Sequence, residues 1–281
     1  MKTLYISDLD GTLLDSSAEI SVFTRLALSK MIENGTRFSV ATARTAATTL
    51  KMLDYVPINV PIILMNGVSV YDIREKRYLK THYIDPLSVS RLFDSLRKHG
   101  ITGFIYTLEN DELNTYYERI DTEQARTFID ERRNKFNKKF TLCKDFYNLM
   151  DQPVIYFSVC EVKEKLMPLY EDFCKDENLH IEFYHNVYEE GVWYLEACSA
   201  LASKHNAVDF LRKEYGFEKV VSFGDNLNDL PMFEASDECY AVANAKPEVK
   251  ARATDVIRGN REDGVARWMM ENAYKKDGKY I

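Results

Sequence analysis

Both ends of this chain alternate short apolar runs with amphipathic stretches of helical period, and the middle does not. The first quarter reads as a strand over 3–7 and a helix over 19–33, with Ile20, Phe23, Ala27 and Met31 on one face. It continues with a strand over 37–41, a helix over 45–53 and an apolar strand over 61–65. Alternation of this kind builds a parallel sheet covered by helices on both faces, since each parallel strand needs a crossover to return to the same end of the sheet. Asn34-Gly35 supplies the stop for the first helix. A hairpin over 68–72 and 78–81 follows, and then the character changes. Longer charged helices over 86–98, 122–134 and 162–175 are interleaved with alternating strands over 103–107, 113–117, 154–159 and 180–184. Strand and helix alternate again beyond 193–196, with a helix over 203–215, a strand over 219–223 and a helix over 229–235. The expectation is an α/β fold: a doubly wound parallel-sheet, Rossmann-like core from 1–83 and 191–281, interrupted by an inserted α/β domain at 84–190. The lysine-rich end, 275–281, reads as a frayed tail.

Bulk properties agree with two folded modules. At 281 residues the chain exceeds the size at which one hydrophobic core keeps growing. Its hydrophobic and charged fractions, 46% and 29%, leave no disordered class to consider. A formal net charge of -7 argues against a surface that neutralises nucleic-acid phosphates or anionic lipid, so an anionic ligand has to be met by a local basic group. Neither a signal peptide nor a membrane span is expected. The five cysteines, Cys143, Cys160, Cys174, Cys198 and Cys239, contain no CxxC pair, and the five histidines show no metal-ligand spacing. A reduced cytoplasmic setting is expected, without disulfides or zinc.

Two segments carry the chemistry. The first strand opens directly into Asp8-Leu9-Asp10-Gly11-Thr12. Ligands of open parallel sheets bind beyond the carboxyl ends of the strands, so Asp8 and Asp10 emerge where chemistry is done. Two carboxylates so close repel each other unless a cation lies between them, and hard oxygen ligands suit magnesium. Gly11 lets the chain turn sharply enough for backbone N–H groups to face a phosphate. A calcium loop fits poorly, because Leu13 stands where such a loop requires glycine and a strand precedes the segment. The second segment is Gly224-Asp225-Asn226-Leu227-Asn228-Asp229, again after an apolar strand. Asp225 is positioned to complete a magnesium shell, while Asn228 and Asp229 ligate through water or fix the loop by hydrogen bonds. Read alone, the same residues make a helix-capping turn.

With DxDGT near its start and GDNLND near its end, the sequence resembles the haloacid dehalogenase superfamily, and within it the Cof-type phosphatases with an inserted class IIB cap. Ala41-Thr42-Ala43-Arg44, Asn66-Gly67, Lys204 and Ala243-Asn244-Ala245 fall between and after these motifs in the family's order. The resemblance implies that Asp8 is a nucleophile forming an aspartyl-phosphate and that Asp10 is the general acid and base. It further implies that the Thr42 hydroxyl binds a phosphate oxygen, that Lys204 neutralises nucleophile and phosphate, and that Asp8, Asp10 and Asp225 hold Mg2+. Gly11, Ala43, Arg44, Asn66, Gly67 and Asn228 are expected to line the substrate, with Arg44 offering a bidentate fork. Two positions depart from the family pattern: His205 stands where glycine usually follows the lysine, and Ala43 where glycine usually precedes the arginine.

The expected activity is therefore magnesium-dependent hydrolysis of small phosphate monoesters, such as sugar phosphates or the phosphorylated cofactors flavin mononucleotide and pyridoxal phosphate. The inserted cap is expected to close over the site and select the substrate. A monomer or homodimer with no nucleic-acid or membrane partner is expected. A phosphomutase of the same superfamily and a catalytically idle binding or regulatory protein are the alternatives. A dehalogenase is disfavoured, since cleaving carbon from halogen leaves no oxygen for Asp10 to protonate.

Overall fold

The computed structural model describes residues 1–185 and 191–276, with side chains to residue 273. The expected boundary at 190/191 touches the segment 186–190, and most of the expected tail lies at 277–281; both segments fall outside the described residues. In chain order the first elements are β1 (Thr3–Ser7), α1 (Val22–Glu33), β2 (Arg37–Val40), α2 (Ala46–Met52), β3 (Ile62–Leu64), β4 (Ser69–Asp72) and β5 (Arg77–Thr81). Next come α3 (Pro86–His99), β6 (Phe104–Glu109), β7 (Glu112–Tyr117), α4 (Glu123–Phe136), β8 (Thr141–Leu142), β9 (Val154–Val162), α5 (Lys163–Phe173), β10 (Leu179–His185) and β11 (Val192–Ser199). The chain closes with α6 (Lys204–Tyr215), β12 (Lys219–Gly224), α7 (Leu230–Glu234), β13 (Glu238–Val242), α8 (Pro247–Lys250), β14 (Asp255–Ile257) and α9 (Gly264–Lys276).

Two compact units result: Met1–Lys80 with Ser203–Ile281, and Thr81–Ala202. The first contains a five-stranded parallel sheet in the order β14-β13-β12-β1-β2. Its central strands are buried on both faces, with Leu4, Ile6, Phe38, Val40, Val220 and Phe223 fully enclosed. Strand β1 sits at the point where the chain order reverses, with β2 on one side and β12 on the other. The crevice beyond its carboxyl end is where this sheet type binds ligands. Strand β3 continues the parallel order only through a single bridge, Ala41 with Ile63, and then pairs antiparallel with β4. It therefore ends in a hairpin whose tip is Asn66-Gly67, consistent with an Asn-Gly turn.

The second unit has a six-stranded sheet in the order β10-β11-β9-β6-β7-β8, antiparallel except between β7 and β8. One face packs Ile105, Phe157, Val159 and Leu195 into a cluster with Leu92 and Phe93 of α3 and Leu166 and Leu169 of α5. Phe104 points the opposite way along β6, as strand alternation requires, and stacks on Phe128 of α4 at 4.7 Å. The segment 193–196 was expected at the return to the core; it belongs to β11, which pairs along its length with β9 and β10. That pairing carries the change of unit to Ala202/Ser203. Strands β13 and β14 were not anticipated, because they are short, carry Glu238 and Asp255, and are only partly buried. Helix α9 lacked an apolar run to announce it and is held by Val265, Ala266 and Met269 in the core.

All five cysteines are free, Cys160 and Cys198 buried and Cys174 exposed. Among the described residues no helix is long and apolar enough to cross a membrane. Phe223 is fully buried on β12, with its ring 5.2 Å from Trp268 and 5.9 Å from Tyr240. Phe223→Ala should lower the stability of the first unit by ~3–5 kcal/mol, read by chemical denaturation.

Candidate active site

Strands β1 and β12 run side by side in register, Ser7 opposite Phe223, so the residues that follow them are neighbours in space. The Asp8 N–H donates to the Phe223 carbonyl at 2.9 Å, which extends the ladder by one residue and plants the Asp8 carboxyl at the sheet edge. Lys204 arrives from the other side as the first residue of α6, whose start is capped by Ser203 accepting from the Asn206 N–H at 3.0 Å. Its side chain is fully buried, and Nζ donates to Asp8 Oδ1 and to Asp229 Oδ1, both at 2.7 Å. A cation at a helix N-terminus is opposed by the macrodipole, and burial opposes it further. Burial works against the charge on Lys204, yet Asp229 and Asp8 outweigh it and hold the ammonium above the ordinary lysine range.

Asp229 is oriented by the backbone: its Oδ2 accepts from the N–H groups of Asp225 and Asn226 at 2.9 and 3.0 Å. Asp225 accepts from the Thr12 hydroxyl at 3.0 Å. One carboxylate oxygen each of Asp8, Asp225 and Asp229 lies within 4.8 Å of the other two. Burial, then Asp229, raises the Asp8 carboxyl well above its usual range against the pull of Lys204. Asp225 is pushed up to about 6 by burial and by Asp229. Three carboxylates face a single ammonium, so the site carries surplus negative charge in an enclosed place. A donor set of three carboxylates so close together is one that a hard divalent cation fits. Gly11 makes the arrangement possible: its φ is +78°, and a Cβ there would stand 2.5 Å from Asp225 Oδ2.

Asp10, expected to share the ion, is held by Arg44. Its two oxygens accept from Nη2 at 2.6 Å and from Nε at 2.7 Å, with the Asp10 side chain 49% exposed. The bidentate fork expected of Arg44 is therefore present, engaged with a carboxylate of the chain itself. Thr42 is fully buried, with its hydroxyl accepting from the Arg44 N–H at 3.2 Å. Ala43 is exposed between them. Asn66 is tied in by its N–H to the Thr42 carbonyl at 3.0 Å, and its side chain accepts from Asn228 Nδ2 at 3.1 Å. Gly67, at φ +98°, lies so close to the start of α6 that a Cβ would fall 2.1 Å from the Ser203 carbonyl oxygen. The hairpin tip thus abuts the turn that delivers Lys204. His205 points away toward Asp209, 3.7 Å distant and exposed.

Sequence reasoning undervalued two features. Asp229 was read as a water-mediated ligand or loop-fixing group; it fixes the loop as expected and is in addition the second counter-ion of Lys204. Asn260 was not singled out; it donates to the Leu14 carbonyl at 2.8 Å while its N–H reaches Asn244 Oδ1 at 3.0 Å. Asn244 in turn donates to the Gly11 carbonyl at 2.7 Å, so the pair pins the acidic turn from outside. The available signal was position: Asn260 closely follows β14, a parallel strand, at the ligand-binding end of the sheet.

A profile of the haloacid dehalogenase-like hydrolases matches residues 5–269. The pyridoxal phosphate phosphatase YbhA of Escherichia coli is 26% identical over 93% of this chain and 95% of its own length. The 5-amino-6-(5-phospho-D-ribitylamino)uracil phosphatase YwtE of Bacillus subtilis is 27% identical over 95% and 96%. Among solved structures, a haloacid dehalogenase-like hydrolase from Bacteroides thetaiotaomicron matches with TM-score 0.79 at 23% identity, covering 96% of this chain and 99% of that one. The subclass IIB sugar phosphatase BT4131 matches with TM-score 0.74 at 20% identity, covering 97% and 99%.

The Asp225 carboxyl generates a pH-dependent stability. Its folded value of about 6 lies above the ordinary carboxylate value. Its stabilising contribution is therefore complete below pH ~4 and is lost as the pH rises through about 6. Metal-free Asp225→Asn should be more stable than the metal-free wild type by ~2 kcal/mol at pH 7.5, with the difference vanishing near pH 4, as read by denaturant titration across that range.

Proposed function

The chain belongs to the haloacid dehalogenase-like hydrolases and is a phosphatase of that family; on that premise we propose that it hydrolyses small phosphate monoesters with magnesium, passing the phosphoryl group through Asp8. The observation that carries this reading is the buried Lys204 ammonium joining Asp8 to Asp229 beside Asp225, an acidic pocket with one carboxylate aimed by a fixed cation. Magnesium, when bound, offsets the charge that otherwise keeps a carboxylate from a phosphate dianion. Asp8 and Asp225 are assigned to hold it, with Asp10 on the same turn.

In the first half-reaction an Asp8 oxygen attacks phosphorus and the bond to the ester oxygen breaks, that oxygen taking a proton from Asp10. In the second, water attacks the phosphorus of the aspartyl-phosphate and gives its proton to Asp10; the bond to Asp8 breaks, and inorganic phosphate leaves. Lys204 fixes the orientation of Asp8 and offsets part of the negative charge there. The Thr42 hydroxyl and the Arg44 fork are assigned to phosphoryl oxygens. Because Arg44 holds Asp10 in the structure, phosphate binding would exchange one partner of the fork for another and free Asp10 for proton transfer. Asn66, Gly67, Asn228, Gly11 and Ala43 complete the substrate surround, and substrate selection is assigned to Thr81–Ala202 as the inserted cap. The relatives named for pyridoxal phosphate and for a ribityl phosphate support a phosphorylated metabolite of that size as substrate.

Two variants test the scheme with magnesium present. Asp8→Asn should lower kcat by roughly 10⁴-fold or more without unfolding the protein, and unchanged turnover would remove Asp8 as nucleophile. Asp10→Asn should cost roughly 10²–10⁴-fold on an alkyl phosphate and much less on a nitrophenyl phosphate, whose leaving oxygen needs little protonation. Equal losses on both esters would deny Asp10 the role of general acid.

A further inference from the structure

Helix α4 ends at Asn137, in the left-handed conformation with φ +52°, and the chain folds back so that the Lys138 N–H reaches the Arg132 carbonyl at 3.2 Å. This turn directs Lys138 inward. The residue is only 9% exposed, and its Nζ lies 4.4 Å from the Tyr106 ring centroid and 5.3 Å from that of Phe140. Beside it the Arg132 guanidinium lies 3.6 Å from the Phe128 centroid. Among the described residues no carboxylate pairs with Lys138. Burial and the neighbouring Arg132 charge together pull its ammonium down to about 7. The acids on the same sheet face are already engaged: Glu196 accepts from Ser158 at 3.2 Å and from Tyr184 at 3.1 Å, and Glu182 lies 3.5 Å from His180. Among the described residues Arg132 pairs only with Glu131, loosely at 3.7 Å and exposed.

A buried ammonium without a counter-ion, next to a second cation, is a destabilising arrangement that ring faces offset only in part. The other deeply buried lysine, Lys204, has two carboxylates. The ring walls and the two cations exclude a metal ion or a quaternary ammonium and select the opposite sign. We propose that the unit Thr81–Ala202 binds the oxyanion group of a small organic ligand, carboxylate or phosphate, between Lys138 and Arg132 against the rings of Tyr106, Phe128 and Phe140. The ligand supplies the missing counter-charge, and the aromatic walls take the apolar part that bears it.

The full-length protein, stripped of metal on a chelating resin, is titrated calorimetrically at pH 7 with citrate and, separately, with inorganic phosphate. Without metal the surplus carboxylates around Asp8 repel both anions, so the measurement does not depend on the phosphatase reading. A single site per chain should be seen for citrate, for phosphate, or for both, which separates the two sources of the oxyanion. Its affinity should fall about tenfold or more in Lys138→Met and in Arg132→Gln. With no anion present, Lys138→Met should melt at a temperature equal to or above wild type, since it fills the same space without a buried charge. Binding of neither anion, undiminished binding in both variants, or a lower melting temperature for Lys138→Met would overturn the proposal.

Discussion

Everything at the candidate site depends on one enclosed ammonium. Lys204 occupies the first position of α6, where the helix dipole and the loss of water both oppose its charge, and it is held there by Asp8 and Asp229 at 2.7 Å each. A buried ion pair contributes little net stability, because desolvation cancels most of its Coulomb gain, so its value here is geometric. It points a carboxylate that would otherwise turn to solvent. With Asp225 included, the negative charge exceeds what Lys204 neutralises. The site is left short of a cation, and a phosphoryl-transfer site can use that shortfall.

The sheet makes the juxtaposition unavoidable. Parallel pairing of β1 with β12 brings the turns after both strands together, although Asp8 and Asp225 are far apart in sequence. Close approach is then secured by two glycines, Gly11 beneath Asp225 and Gly67 against the entry to α6, each at a positive φ and each where a side chain would collide. Asn244 and Asn260 brace the acidic turn from the next loops along the sheet. Segments from across the chain thus converge on one crevice, held there by the regular structure of the fold.

Much of this was legible in the sequence because it rests on periodicity and on position at a strand end. The β1 and β12 strands, their acidic sequels, the two-module organisation and most helices follow from such patterns. The rest depends on choices that local sequence does not encode. Which way the Asp10 carboxylate turns is a matter of side-chain orientation, and in the structure it meets the Arg44 fork. Whether 192–199 ends one unit or begins the next is decided by long-range antiparallel pairing with β9, to which strand-like residues at that point are indifferent. Asp229 looked like a capping residue because it is one, with the same carboxylate also serving Lys204.

The account stands on covalent chemistry at Asp8. The direct measurement is to quench the enzyme with acid during turnover of a phosphate monoester in magnesium, digest it, and weigh the peptide that contains Asp8. The account predicts that this peptide gains the mass of one phosphoryl group, on Asp8 by fragmentation, and loses it on brief exposure to base. A phosphoryl group found on another residue, or phosphate released with stereochemical inversion at phosphorus as direct attack by water requires, would contradict it.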